Sequence, residues 1–555
     1  MKEWLFSRRA VMKAMLIGTA VPWVLTSRAF GASSCSDHIV RVGAIAAPDS
    51  LNPFASWSNW WPLIFTYDYL VGVEAQRHDD RKGFAKSWSV ADDEITWTFK
   101  IWPGMMWSDG KPATARDAAF TYNYLLGSMG KSDELNSGFS STAGFDQVQS
   151  ITALDDETFQ IVTKIPTRWP IDSGPFIVPE HIWKDVSYAD ARGTFRNDPP
   201  LVGTGPMIVS EFQQGQFARL SPNPYFRTGQ PATAGMVFHF FNVADPIAQG
   251  LKSGSLDYGV SLTPAQWADL SKDSAMEVGQ SRIEQRDYLA FNTGSGDGAG
   301  STKALQDAAF RDAIGYAIDQ KVIVERAYRG HADPGVGLVM PVATDYYSDL
   351  SDIRRHFDLA EAARRLDAAG YRDTNGDGIR EDKEGNSFQL ELITGTLSGT
   401  LEIPIAAVQL IAGWLGQIGI PVSVTQLESG ALDARTAAPT KGGGGWDLVV
   451  KAGWRDPSAR SLLSLGSSKD TYNTSNWTNE KFDQLLSQVE VTVDRKKSRE
   501  LVDQAARLIY AEAPYIILSY PLVLEARRKD CFEGWGNEDM MSMWSYFPFD
   551  RLKPA

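Results

Sequence analysis

The stretch Asp373-Thr374-Asn375-Gly376-Asp377-Gly378-Ile379-Arg380-Glu381, with Glu384 at its twelfth position, is the best-formed ion motif in the sequence. Oxygen donors from Asp373, Asn375, Asp377, the Ile379 main chain and Glu384 would circle a structural Ca2+, and Gly378 permits the sharp turn. A helical pattern precedes the loop, but a strand pattern over 388–393 follows where an EF-hand has a second helix. The competing reading, which the flanks favour, is an acidic turn whose Asp and Asn side chains bond their own backbone. Catalytic chemistry finds less support. The six histidines (His38, His78, His181, His239, His331, His356) stand singly, with no His-Glu-x-x-His pair to put two imidazoles on one helix face. No Gly-x-Ser-x-Gly elbow occurs, and no Gly-Lys-Ser/Thr follows the glycine runs 294–300 and 442–445, so neither an activated serine nor a phosphate loop is present. No enzyme is expected. With 2 cysteines, Cys35 and Cys531, a thiolate metal site and a disulfide scaffold are excluded. Cys35 follows small residues as lipid-attachment cysteines do, but without the usual Leu at the Ala32 position. A disulfide to Cys531 and two unpaired thiols are equal alternatives to that weaker one. The segment Ser56-Trp57-Ser58-Asn59-Trp60-Trp61 concentrates indole rings on a loop. That suggests a stacking surface, with core packing as the alternative.

These residues need elements to position them, and the chain is long enough to build several. It has 555 residues, a formal charge of −14, 43% hydrophobic and 22% charged residues. That length suggests two to four domains with large cores and excludes a disordered chain. The acidic balance argues against a nucleic-acid partner. Residues 1–31 read as a twin-arginine export signal: Ser7-Arg8-Arg9-Ala10-Val11-Met12-Lys13, then an apolar run over 14–26 that is too short to span a bilayer, then Ala29-Phe30-Gly31. Alternation predicts strands at 39–42 and 96–101, and strand-like runs lie at 207–209, 217–220, 235–241, 388–393, 421–426 and, wholly apolar, 515–518. Helical spacing is found over 114–126, 304–328, 360–369, 404–417 and 494–511. Texture changes near 290 from strand-rich to helix-rich α/β, which favours a sheet covered by helices.

The stretches Ala85-Lys86-Ser87-Trp88-Ser89-Val90-Ala91-Asp92-Asp93, Thr96-Trp97-Thr98-Phe99-Lys100-Ile101-Trp102-Pro103-Gly104 and Trp107-Ser108-Asp109-Gly110-Lys111-Pro112 are followed by Gly203-Thr204-Gly205-Pro206 and Asn223-Pro224-Tyr225-Phe226. Phe310-Arg311-Asp312-Ala313-Ile314, Leu415-Gly416-Gln417-Ile418-Gly419-Ile420 and Trp446-Asp447-Leu448 come later in the same order. Together they resemble the family 5 solute-binding proteins of oligopeptide, dipeptide and nickel ABC importers. The resemblance implies an α/β, two-lobed periplasmic-binding-protein clamshell (type II, cluster C-like) with an extra subdomain. Lobe I would comprise 32–55, 203–289 and 521–555, the extra subdomain 56–202, and lobe II 290–520. Hinge crossings are expected near Phe291-Asn292 and Ser519-Tyr520. Function would be that of a periplasmic receptor, monomeric, which closes on its ligand and delivers it to a membrane permease driven by a separate ATPase.

The resemblance also implies ligand contacts at Trp57, Asn59, Trp60, Trp61, Asn292, Lys451, Trp454, Arg455, Asp456 and Tyr520. In similar peptide receptors an Asp three residues after a Gly-Trp pairs with the peptide ammonium. Here the nearest acid, Asp456, comes two residues after Trp454, and a charge-assisted bond tolerates little displacement. Arg455 would instead meet a carboxylate. An oligopeptide is the expected ligand. An oligosaccharide stacked on Trp is the alternative, and the scarcity of histidine weighs against nickel. No cofactor is expected beyond the structural calcium the acidic loop would hold.

Overall fold

The computed structural model describes residues 35–56, 61–71, 83–131, 134–135, 145–172, 174–294, 301–395, 404–437, 443–454, 458–535 and 552–555. The strand β1 (Ile39–Ile45) opens the first lobe. The strands β2 (Ala85–Val90), β3 (Thr96–Ile101), β4 (Val148–Ala153) and β5 (Thr158–Thr163) then form a separate antiparallel sheet in the order β2-β3-β5-β4. In β3 the alternation seen in the sequence is realised: Trp97, Phe99 and Ile101 are buried while Lys100 is exposed. The helix Ala115–Ser128 covers this sheet. Its start is fixed by a capping box in which the Thr114 side chain takes the Arg116 N–H and the Asp117 carboxylate takes the Thr114 N–H at 2.8 Å.

The main sheet continues with β6 (Met207–Gln213), β7 (Phe217–Pro222), β8 (Gly235–Phe241), β9 (Tyr258–Val260) and β10 (Met276–Arg282). The second lobe supplies β11 (Gln285–Phe291), β12 (Ala332–Pro334), β13 (Leu390–Gly395), β14 (Val422–Leu427) and β15 (Leu448–Trp454), and β16 (Tyr515–Arg528) joins the two halves. Along one continuous path the order is β14-β13-β15-β11-β16-β9-β1-β8-β7-β6, with β10 and β12 added against β16. In the second lobe, alternate residues enter opposite cores. Leu289, Phe291, Leu392, Val450 and Leu518 share one cluster, and Tyr288, Ala290, Ile393, Val449 and Ile517 share another. Core clusters lie on both faces of this sheet, and β11 is buried at every position, its polar residues Gln285, Arg286 and Asp287 included. Among the described residues no helix is long and apolar enough to cross a membrane.

Two features depart from the sequence reading. The helical pattern over 304–328 is broken into a 3-10 turn (Lys303–Gln306) and two short helices, Ala308–Tyr316 and Gln320–Arg326, because Asp307 and Asp319 each cap a fresh start. The strand expected to end at 518 runs on to Arg528. Pro521 is tolerated there because it falls where β16 changes neighbours: Ser519 still faces Asp287 of β11, while Leu522 already faces Arg282 of β10. The chain's neighbours in the sheet thus change at Ile283-Glu284, between β10 and β11, and at Tyr520-Pro521 within β16. A register shift beside Asp287 skips Leu518, and such a bulge bends the strand that carries it.

Cys35 and Cys531 are joined by a disulfide with a Cα–Cα distance of 4.9 Å. Of the three alternatives left by the sequence, this one engages the thiol that lipid attachment would need. It fastens the chain just before β1 to the C-terminal pair β17 (Phe532–Glu533) and β18 (Lys553–Pro554).

Candidate functional site

Strand β15 carries the site. It pairs with β11 along its whole length but with β13 only over Leu448–Val450, so among the described residues the stretch from Lys451 to Trp454 has a strand neighbour on one side. Lys451 and Gly453, two apart, lie on one face. That face borders a cavity of about 410 Å3 lined by Tyr288, Asp433, Thr436, Lys451, Gly453 and Tyr472, together with Ala437, Ala452, Thr471 and Thr474. The Lys451 ammonium donates to Asp433 Oδ1 at 2.9 Å and to Thr436 Oγ1 at 3.1 Å, so the helix Ser429–Thr436 positions it. Lys451 is 20% exposed and Asp433 71%, so the cation is the less solvated partner of the pair. The Tyr288 hydroxyl lies 3.3 Å from Thr474 Oγ1. Gly453 is required here, since a Cβ would approach the Tyr288 ring to 2.8 Å. Tyr472, 57% exposed, forms part of the rim. The lining holds no histidine, cysteine or second acid beside Asp433 among the described residues. It offers hydroxyls, two phenol rings, one ammonium and one carboxylate, groups that orient a polar solute by hydrogen bonds.

One residue beyond the cavity, Trp454 packs against the core cluster of the first lobe, so the end of β15 is a place where the lobes meet. Lys451 and Trp454 are thus brought together at one strand end, while the other expected contacts fare differently. Trp57, Asn59, Trp60, Arg455 and Asp456 lie outside the described residues. Trp61 begins the helix Trp61–Thr66, is 8% exposed and belongs to the first-lobe core, so packing outweighs stacking for this ring. Asn292 is fully buried: its Nδ2 donates to the Trp446 carbonyl at 2.9 Å, and its Oδ1 accepts from Gly294 N and Asn476 Nδ2. Tyr520 is also internal, its hydroxyl donating to the Gly337 carbonyl at 2.6 Å and accepting the Gly337 N–H at 3.1 Å. Asn292 ties together segments of the second lobe, Tyr520 lies where β16 changes neighbours, and neither side chain is on the cavity wall. The cavity residues Tyr288, Asp433, Thr436 and Tyr472 were not anticipated. The i, i+2 placement of Lys451 and Gly453 was the available signal, but their neighbours come from distant segments.

The acidic loop holds itself. Asp373 accepts the N–H groups of Gly376 and Gly378, at 2.6 and 2.9 Å, and Asp377 accepts that of Ile379 at 2.8 Å. The three acids whose oxygens lie within 4.8 Å of one another are Asp373, Asp377 and Glu381. Glu384 is not among them: it turns to Lys303 at 3.5 Å. The loop closes at its ninth position, because the bridges of Arg372 and Ser387 to Glu381 pin that residue inward.

Residues 81–473 match the model of the bacterial extracellular solute-binding proteins, family 5. The chain belongs to this family. A similar relative is the oligopeptide-binding protein AppA of Bacillus subtilis, 24% identical over 492 residues, covering 86% of each chain. Among solved structures, the ABC transporter substrate-binding protein CtaP of Listeria monocytogenes superposes with a TM-score of 0.77 at 21% identity, covering 93% of this chain and 99% of that one. NikZ of Campylobacter jejuni, in complex with Ni(L-His), superposes with a TM-score of 0.73 at 18% identity, covering 93% and 99%. The two-lobed family 5 clamshell with its mixed sheets is thereby the fold of this chain, and its role is that of a solute receptor.

Proposed function

We propose that this family 5 receptor captures an oligopeptide-like solute between its lobes and hands it to an ABC permease, with a separate ATPase supplying the energy. The supporting observation is the cavity at the end of β15, where a half-buried ammonium, threonine hydroxyls and phenol rings could order a polar chain fragment and its bridging waters. The absence of histidine from the described lining argues against a nickel chelate here. Trp61 in the core removes one ring from the case for sugar stacking. The solute would be trapped by hinge bending at Ile283-Glu284 and Tyr520-Pro521, since a ligand touching both lobes favours the closed state. Residues 1–31 would direct the chain through the twin-arginine route to the periplasm, where the Cys35–Cys531 disulfide is stable; retention of an Arg8→Lys, Arg9→Lys double variant in the cytoplasm is the matching test.

A thermal-shift screen of short peptides and oligosaccharides on the mature chain tests the ligand class, because binding the native state raises its melting temperature. Peptides are expected to shift the transition. Lys451→Ala is expected to weaken peptide affinity about tenfold or more, the scale of one charge-assisted hydrogen bond. A shift with sugars alone, or unchanged peptide affinity in Lys451→Ala, would reject the assignment.

A further inference from the structure

One group of contacts between the lobes lies away from the hinge strands and from the ligand site. Val493 sits in the turn between the second-lobe helices Glu480–Glu490 and Arg495–Glu512, yet it is 9% exposed and is counted in the hydrophobic core of the first lobe. Its main-chain carbonyl accepts a hydrogen bond at 3.1 Å from the guanidinium of Arg168, which immediately precedes the short helix Trp169–Asp172 of the extra subdomain, 325 residues away. The other arm of Arg168 pairs with Asp172 at 3.2 Å. Asp172 also attracts the second-lobe Arg495 across the gap, and Arg495 is in turn held by Asp345 of its own lobe. Tyr346, beside Asp345, feels the charges of both Arg168 and Asp172. Two positive and two negative side chains thus alternate around an apolar plug at the seam.

We propose that Arg168, Asp172 and Val493 form a latch on the cleft seam that stabilises the closed arrangement of the lobes without touching the ligand. Separating the lobes would return Val493 to water and strip Arg168 of its carbonyl acceptor, while shutting them restores both contacts at once. Arg168 is suited to the task because its planar fork serves a carbonyl with one arm and a carboxylate with the other, which a lysine ammonium does with less geometric definition. The contact biases the equilibrium even in the empty receptor, and a larger closed fraction tightens apparent affinity in proportion. Arg168 is therefore a positioning residue. The latch rests on the receptor reading only for its effect on affinity, since its geometry involves no ligand.

The test uses the empty mature protein, labelled for energy transfer at Ser89→Cys on β2 and Lys469→Cys in the second lobe, both exposed positions, with the native disulfide intact. Arg168→Ala is expected to raise the ratio of open to closed molecules at least about threefold, with Arg168→Lys intermediate. Val493→Ala, which keeps the carbonyl but trims the plug, is expected to act in the same direction. Circular dichroism confirms that each variant is folded, and any that is not is replaced by Asp172→Asn. With an equimolar tripeptide mixture as probe, faster release from Arg168→Ala than from the parent would extend the effect to retention. Unchanged distance distributions in folded Arg168→Ala and Val493→Ala would overturn the latch. Failure of the parent protein to bind any peptide would instead reject the peptide reading while leaving the distance result to decide the latch.

Discussion

Asp287 is the side chain whose chemistry is most altered by its place in the molecule. It lies fully buried where β11 meets β16, accepting hydrogen bonds from Tyr328 and, at 2.9 Å, from Gln285 Nε2, with Ser519 Oγ at 3.4 Å. Burial pushes its carboxyl up from 3.8 to about 6, outweighing these hydrogen bonds, which act the other way. A raised folded value means the native state binds the proton more readily than the unfolded chain. Its contribution to stability is therefore fully present below pH 3.8 and is lost as pH rises through about 6. Asp287→Asn is accordingly expected to be more stable than the parent at pH 7 by on the order of 2 kcal/mol, with the advantage vanishing near pH 4. Chemical unfolding across that range measures it, and a difference independent of pH would contradict the argument. Glu384 illustrates the opposite case, a charge that the fold leaves at the surface, 55% exposed beside Lys303. Exposed pairs of this kind contribute roughly 0–1 kcal/mol. Glu384→Gln is expected to leave the melting temperature unchanged in calcium and in chelator alike, whereas a calcium-dependent loss would restore it as a ligand.

At the scale of elements, the joint between lobes is carried by strands, with one strand, β16, shared by both halves of the sheet. A strand bends where its pairing changes, and Pro521 together with the register shift at Asp287 marks that place. The disulfide belongs to the same scale. It closes a loop of nearly the whole chain, and the entropy of the unfolded state falls with the length of loop closed. Cys531→Ser is expected to lower the stability of the first lobe by about 2–5 kcal/mol, read as an earlier melting transition that reducing agent reproduces in the parent and not in the variant. An unchanged transition would mean that β17, β18 and the core around Cys531 hold the chain end without help.

At the scale of the molecule, the proposed capture of a solute turns on closure of the two lobes across a seam that holds both Trp454 and Val493. Small-angle scattering of the mature chain is expected to show a smaller radius of gyration with a bound peptide than without; identical curves at saturating peptide would argue against hinge capture. The amino-acid sequence alone determined the family and many of the elements. Strands such as 96–101 rest on period-two alternation, and helices such as 114–126 and 494–511 on apolar spacing, patterns that act over a few residues and so can be read locally. The exported-receptor reading came from motifs of the same local kind. Tertiary structure alone decided that Trp61 is core, that Asn292 and Tyr520 are buried, that Glu381 and not Glu384 lies beside Asp373 and Asp377, and that Cys35 finds Cys531. It also supplied Asp433 to Lys451 and Val493 to Arg168. Each of these depends on which distant segments share one volume, and burial and partnership are properties of that volume that no local pattern encodes.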